Sequence, residues 1–115
     1  MARYQLFVFS DCKDPAREEE FNDWYDNVHL PDMLQVEGLV KATRWMTAEN
    51  AEGQQRRYLA IYEVETEDSI ETLNEKIKER GMWTMKAGRF SDLPVFDPPN
   101  IPRMYKQIME EKQAK

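Results

Sequence analysis

Arg57-Tyr-Leu-Ala-Ile-Tyr-Glu-Val-Glu65 decides how the rest of the chain is read. In an extended strand successive side chains point to opposite faces, so Tyr58, Ala60, Tyr62 and Val64 share one side while Leu59 and Ile61 take the other. Both sides are apolar or aromatic, and such a strand needs cover on two faces. Before it, LVKATRWM (Leu39 to Met46) is a second strand-like run, and the polar AENAEGQQ between them makes the two a hairpin.

Upstream, YQLFVF (Tyr4 to Phe9) reads as a first strand that stops at the turn-forming SDCKDP. Asp14-Pro15 then starts a helix, with Asp14 as N-cap and Pro15 at the first helical position. Glu18, Glu19 and Glu20 follow, where negative charge complements the helix dipole. Phe21, Trp24, Tyr25 and Val28 recur at the spacing of one helix face. Pro31 disturbs that helix, and Gly38 marks the turn into the second strand. Downstream, a second helix is expected from about Asp68 to Arg80, with Ile70, Leu73 and Ile77 on one face and Gly81 as its C-cap. A long loop from Met82 to Pro102 comes next; its Trp83, Phe90 and Phe96 are too apolar for open surface and should pack over the core or a pocket mouth. RMYKQIM reads as a short last strand.

The order β-α-β-β-α-β is that of a ferredoxin-like α+β sandwich, an antiparallel sheet with two helices on one face. The expectation is a single domain over residues 1–115, with a core from about 3 to 109 and a charged tail at 110–115. Two helices cover one sheet face only. The apolar second face therefore calls for another sheet, and a homodimer pairing face to face supplies it.

Composition narrows the chemistry. With 115 residues, 41% hydrophobic and 11% aromatic, the chain suits one folded domain. A formal net charge of −6 repels phosphate backbones, so nucleic acid is not an expected partner. The apolar run LFVF is too short for a signal peptide, and no segment reaches membrane-spanning length. Cys12 is the one cysteine, which rules out an internal disulfide and fits a reducing cytoplasm. No metal-ligand cluster, phosphate loop or Ser/His/Asp signature is present, so neither metal nor cofactor is expected.

His29, the one histidine, lies a helical turn after Tyr25, on the flank of the Phe21/Trp24/Val28 stripe. A structural histidine there packs its ring and bonds a carbonyl; a catalytic one faces an apolar pocket and moves protons. Pattern alone leaves both open. EEFNDWYDNVHLPDMLQVEGLVKATRW resembles the EthD-like group of the dimeric α+β-barrel superfamily, the matching positions being Trp24, Tyr25, His29, Pro31, Asp32 and Gly38. Some members of that group carry a His-His pair where this chain has Val28-His29. The resemblance implies a homodimer, and a small hydrophobic cyclic or aromatic ligand in a mostly apolar cavity. It makes His29 the expected acid/base of a cofactor-independent lyase or isomerase, or the ligand contact of a carrier of the same fold. Tyr25 then orients the imidazole or donates a proton, and Asp32 fixes its tautomer. Trp24, Arg44, Tyr62 and Trp83 are the substrate-binding candidates, with Trp83 capping the pocket from the long loop.

Overall fold

The computed structural model describes residues 1–49, 55–97 and 103–115. The tip of the expected hairpin loop and the end of the long loop lie outside them. Strand β1 (Ala2–Cys12) pairs antiparallel with β3 (Tyr58–Thr66), which pairs antiparallel with β2 (Leu39–Met46). The far edge of β1 takes two short antiparallel strands, β4 (Pro94–Phe96) and β5 (Met104–Tyr105). The order β2-β3-β1-β4, with β5 also on β1, is the ferredoxin-like arrangement expected. The last strand differs from expectation: its position is shared by two pieces, and of RMYKQIM only Met104 and Tyr105 join the sheet.

The alternation of β3 comes through as read. Tyr58, Ala60, Tyr62 and Val64 are buried beneath the helices with Leu6, Phe21, Tyr25 and Leu73. Each large apolar side chain so enclosed stabilises the fold by about 1.5–3 kcal/mol relative to exposure. On the outer face Phe7, Phe9, Leu59 and Ile61 are half-buried, and Trp45 is 59% exposed. The other end of that face is charged, with cross-strand pairs Arg3–Glu65 (3.5 Å) and Lys41–Glu63 (3.3 Å).

Asp14 caps a short turn, Pro15–Arg17, by accepting from the Ala16 N–H at 3.0 Å. Helix α1 (Glu18–Trp24) then runs into a π-turn (Tyr25–His29) and on into α2 (Leu30–Met33). In the π-turn the Leu30 N–H bonds the Tyr25 carbonyl, five residues back. The wide turn stands just before Pro31, whose ring would press on the Asn27 carbonyl in a regular α-helix. Pro31 thus changes the winding without ending the helix. Gly38, at φ +108°, makes the turn into β2; a Cβ there would sit 3.3 Å from Leu73 Cδ1.

The second long helix is longer than expected. Helix α3 runs over Ile70–Lys86, capped by Ser69, whose Oγ accepts from the Thr72 N–H at 3.1 Å. Gly81 lies inside it. The glycine that ends it is Gly88, at φ +71°, in a Schellman motif: Arg89 N–H bonds the Thr84 carbonyl (2.9 Å) and Gly88 N–H the Met85 carbonyl (3.2 Å). Residues 82–86, expected in a loop, are therefore helical. No helix among the described residues is long and apolar enough to cross a membrane.

Candidate functional site

The π-turn sets where His29 points. A turn with i→i+5 bonding holds more than four residues, so side chains four apart align more closely than in an α-helix. Phe21, Tyr25 and His29 accordingly form one buried row, while Trp24 and Val28 are half-buried. His29 is inside the apolar face, 8% exposed, not on its flank as the α-helical spacing implied.

Four aromatic rings surround the imidazole. Trp24 stacks on it at 4.7 Å between centroids, Tyr25 meets it edge-on at 5.0 Å, and Phe90 and Phe96 stand at 5.8 and 6.4 Å. Among the described residues no group hydrogen-bonds the ring. Burial pushes its pKa down from 6.5 to about 4; the Asp32 carboxylate pulls upward and the Arg44 guanidinium adds to the depression. The ring is neutral at physiological pH, with one nitrogen to donate and one to accept.

Tyr25 is 1% exposed, and burial raises its pKa to about 12, so its hydroxyl keeps its proton. Arg44 reaches in from β2 as expected: its guanidinium carbon lies 4.2 Å from the Tyr25 ring centroid. It is held there by Asp26 Oδ1 (2.8 Å) and Asn22 Oδ1 (2.9 Å). Tyr62 is 3% exposed, opposite Leu6 and Ala42 on the inner face, and burial pushes its pKa well up.

Asp32 and Trp83 depart from expectation. Asp32 is buried, but its carboxylate accepts from Arg89 Nε at 2.7 Å, and its carbonyl accepts from Arg80 Nε at 2.8 Å. It acts on His29 through its charge, without a hydrogen bond to the ring. Trp83 is 45% exposed on α3, stacked under the Arg80 guanidinium at 3.9 Å and lining an open groove with Val36, Glu37, Lys76 and Glu79. It does not cap the histidine, because the helix carrying it continues past Gly81.

The cap comes instead from the strap that follows Gly88. Its Schellman turn sends Arg89 and Phe90 back over the first helix, where the Arg89 carbonyl accepts from Trp24 Nε1 at 2.8 Å. Phe90 lies 5.4 Å from Trp24, edge-on, and so closes over the same histidine. Sequence reasoning missed Ser10 altogether. It is 1% exposed and opposite both Tyr58 and Phe96 in the sheet, and carrying the β1 alternation past Phe9 would have placed it inward. The Cys12 thiol donates to the Asp14 carbonyl (3.2 Å), and burial pushes its pKa up, which disfavours the thiolate.

A family model described as "Domain of unknown function (DUF4286)" matches residues 7–92, most of the chain. No curated protein matches it in sequence. Among solved structures, HapK from Hahella chejuensis is similar at 12% identity and a TM-score of 0.66, covering 97% of this chain and 99% of its own. A candidate monooxygenase from Shewanella loihica PV-4 shares 16% identity at a TM-score of 0.58, with coverages of 95% and 97%. An ethyl tert-butyl ether D (EthD) family protein from Bacillus halodurans C-125 shares 15% at 0.56, with coverages of 94% and 100%. At such identities the likeness is one of fold. The chain has the dimeric α+β-barrel fold of EthD-like proteins, as its sequence pattern indicated.

Proposed function

We propose a small-molecule function for this chain, which belongs to the DUF4286 family, a domain of unknown function. It takes a small hydrophobic cyclic or aromatic compound against His29, whose neutral imidazole moves a proton in an isomerisation, dehydration, cyclisation or decarboxylation. A single acid/base group in an apolar pocket suffices for such steps, so the enzyme is cofactor-independent. The observation that carries this reading is the imidazole itself: enclosed by aromatic rings, neutral, and without a hydrogen-bond partner among the described residues. A histidine kept for structure normally has that bond made. Tyr25 presents its protonated hydroxyl beside the ring, Trp24, Arg44 and Tyr62 shape the walls, and Asp32 tunes the imidazole by its charge while holding the Arg89 strap. The EthD family protein and the candidate monooxygenase that share the fold lend support to an enzyme. The working unit is a homodimer covering the apolar half of the outer sheet face, in a reducing cytoplasm suited to the lone Cys12.

One observation favours a second reading. With a pKa near 4, the imidazole is a weak base, which suits a carrier that holds its ligand by stacking and one hydrogen bond. His29→Asn distinguishes the roles, since Asn keeps a hydrogen bond but shuttles no proton near pH 7. Catalysis predicts a variant that melts close to the parent, binds ligand, and turns over about 10²–10⁴-fold more slowly. A variant that binds and turns over normally per folded molecule, but melts far lower, would leave His29 a packing residue.

A further inference from the structure

Residues 89–92 cross over His29 as a strap with few ties. The Schellman turn at Gly88, φ +71°, carries the chain away from α3. Leu93, 1% exposed, pins it again where its carbonyl accepts from the Lys13 N–H at 2.7 Å. Between those points no backbone–backbone hydrogen bond holds residues 90–92 among the described residues. Side chains hold the strap down instead. Trp24 Nε1 bonds the Arg89 carbonyl (2.8 Å), Arg89 Nε bonds Asp32 Oδ2 (2.7 Å), and an exposed Arg17–Asp92 pair closes at 3.3 Å. The Phe90 ring adds its packing against Trp24 and His29. A segment so lightly bonded opens at far less cost than the whole domain. Its latch residue faces two ways. Asp32 holds Arg89, and it also stands three residues beyond His29 on the same helical run, where its charge raises the proton affinity of the imidazole.

We infer that the strap swings about Gly88 to uncover the imidazole, with Asp32 as its latch, released from Arg89 to become the counter-ion of a protonated His29. The purpose of this motion, admitting a ligand to His29, rests on the function proposed above; the motion itself does not. Closed, the ring lies among Trp24, Tyr25, Phe90 and Phe96 and is neutral, since burial holds its pKa near 4. Lifting Phe90 lets water reach the ring and returns its proton affinity towards the ordinary 6.5. The open form therefore binds a proton more tightly than the closed one, and acid opens the strap. Besides Asp32 on α2, the charged or titratable groups facing the ring are Arg44 from β2 and Tyr25 in the π-turn. Arg44 stays bonded to Asp26 and Asn22, and Tyr25, with its pKa raised to about 12, keeps its proton. Neither changes charge between about pH 7 and 5. The first helix, the strap and β4 present only the uncharged rings of Trp24, Phe90 and Phe96 to the imidazole.

The reporter is the Trp24 indole N–H, whose bond to the Arg89 carbonyl breaks when the strap lifts. Its hydrogen-exchange protection, referred at each pH to free indole, is measured by NMR on the intact protein without ligand. Between about pH 7 and 5 the parent's protection should fall roughly twentyfold, the linkage expected of a group held near 4 when closed and near 6.5 when open. In His29→Asn it should stay flat over the same range. Arg89→Met should lower protection at about pH 7 by roughly three- to tenfold, and Asp32→Asn takes its place should the first variant not fold. A flat parent profile, an equal fall in His29→Asn, or no loss on removing the latch overturns the inference. So does Trp24 protection equal to that of the β3 amides at every pH, since the opening would then be global unfolding. The pocket reading fails by a different result, a His29→Asn protein that binds and turns over normally, which leaves the strap measurement standing.

Discussion

Titrating His29 tests the enclosure of the imidazole directly, and because it is the only histidine its Cε1–H resonance can be followed alone. The ring sits among Trp24, Tyr25, Phe90 and Phe96, and burial sets its folded pKa near 4 against 6.5 for a free side chain. The unfolded chain therefore binds a proton more readily than the folded one. Stability from this group is complete above about pH 6.5 and is lost as pH falls towards 4. Each pH unit inside that window is worth about 1.4 kcal/mol, so the parent should lose about 2 kcal/mol between about pH 7 and 5 through His29 alone. The carboxylates also titrate in that range, so the quantity to measure is the difference between the parent and His29→Asn in denaturant unfolding. That difference should shift in favour of the variant as pH drops, and the parent's Cε1–H midpoint should lie well below 5.5. A midpoint near 6.5, with no pH-dependent difference between the two proteins, would mean a hydrated ring, and the argument from burial would be wrong.

Three further outcomes follow from the geometry. Light scattering at micromolar concentration should give about 27 kDa, twice the chain mass of 13.7 kDa, and Ile61→Glu on the outer face should reduce it to the monomer value. Gly81→Ala should raise stability by about 0.5–1 kcal/mol, since Gly81 is inside α3 with open space where a Cβ would go; Gly88→Ala, at positive φ, should lower it by about 1 kcal/mol, both read from denaturant midpoints. Arg89→Met removes the bond to Asp32 that ties the strap down, and limited proteolysis should then cut within residues 88–93 faster than in the parent, with ligand slowing the cut in both.

The sheet was legible in the sequence because its signal is local. The alternation of β3 survives in the structure residue by residue, and the aromatic spacing in the first helix put Phe21 and Tyr25 on its buried face. The site was less legible, for two identifiable reasons. The flank position assigned to His29 assumed α-helical winding throughout, whereas the steric demand of Pro31 on the turn before it widens that turn and rotates the ring inward. The cap assigned to Trp83 assumed that Gly81 ends the helix. Both Gly81 and Gly88 are compatible with a helix end, and what selects Gly88 is the backbone bonding of Thr84 and Met85, which no single-residue preference encodes. Ser10 was invisible for a simpler reason: a hydroxyl at the end of an apolar run looks like the start of a loop.

The pairing of β1 has a consequence for how the chain folds. This strand lies between its partners, yet all of them come much later in the sequence: Ala2 pairs with Thr66, Ser10 with Tyr58 and Phe96, Leu6 with Met104. As the chain leaves the ribosome, β1 has none of these partners until residues 58–66 have been made. The β2–β3 hairpin can form early, but the two-sided sheet must wait for closure of long loops, whose entropy is lost before any contact compensates it. Folding should therefore be slow for a domain of this size, with the apolar, hydrogen-bond-hungry segment Leu6 to Phe9 open to wrong partners meanwhile. A chain truncated after β2 should populate no sheet at all, and one ending after β3 should gain β1–β3 protection from hydrogen exchange in a single step.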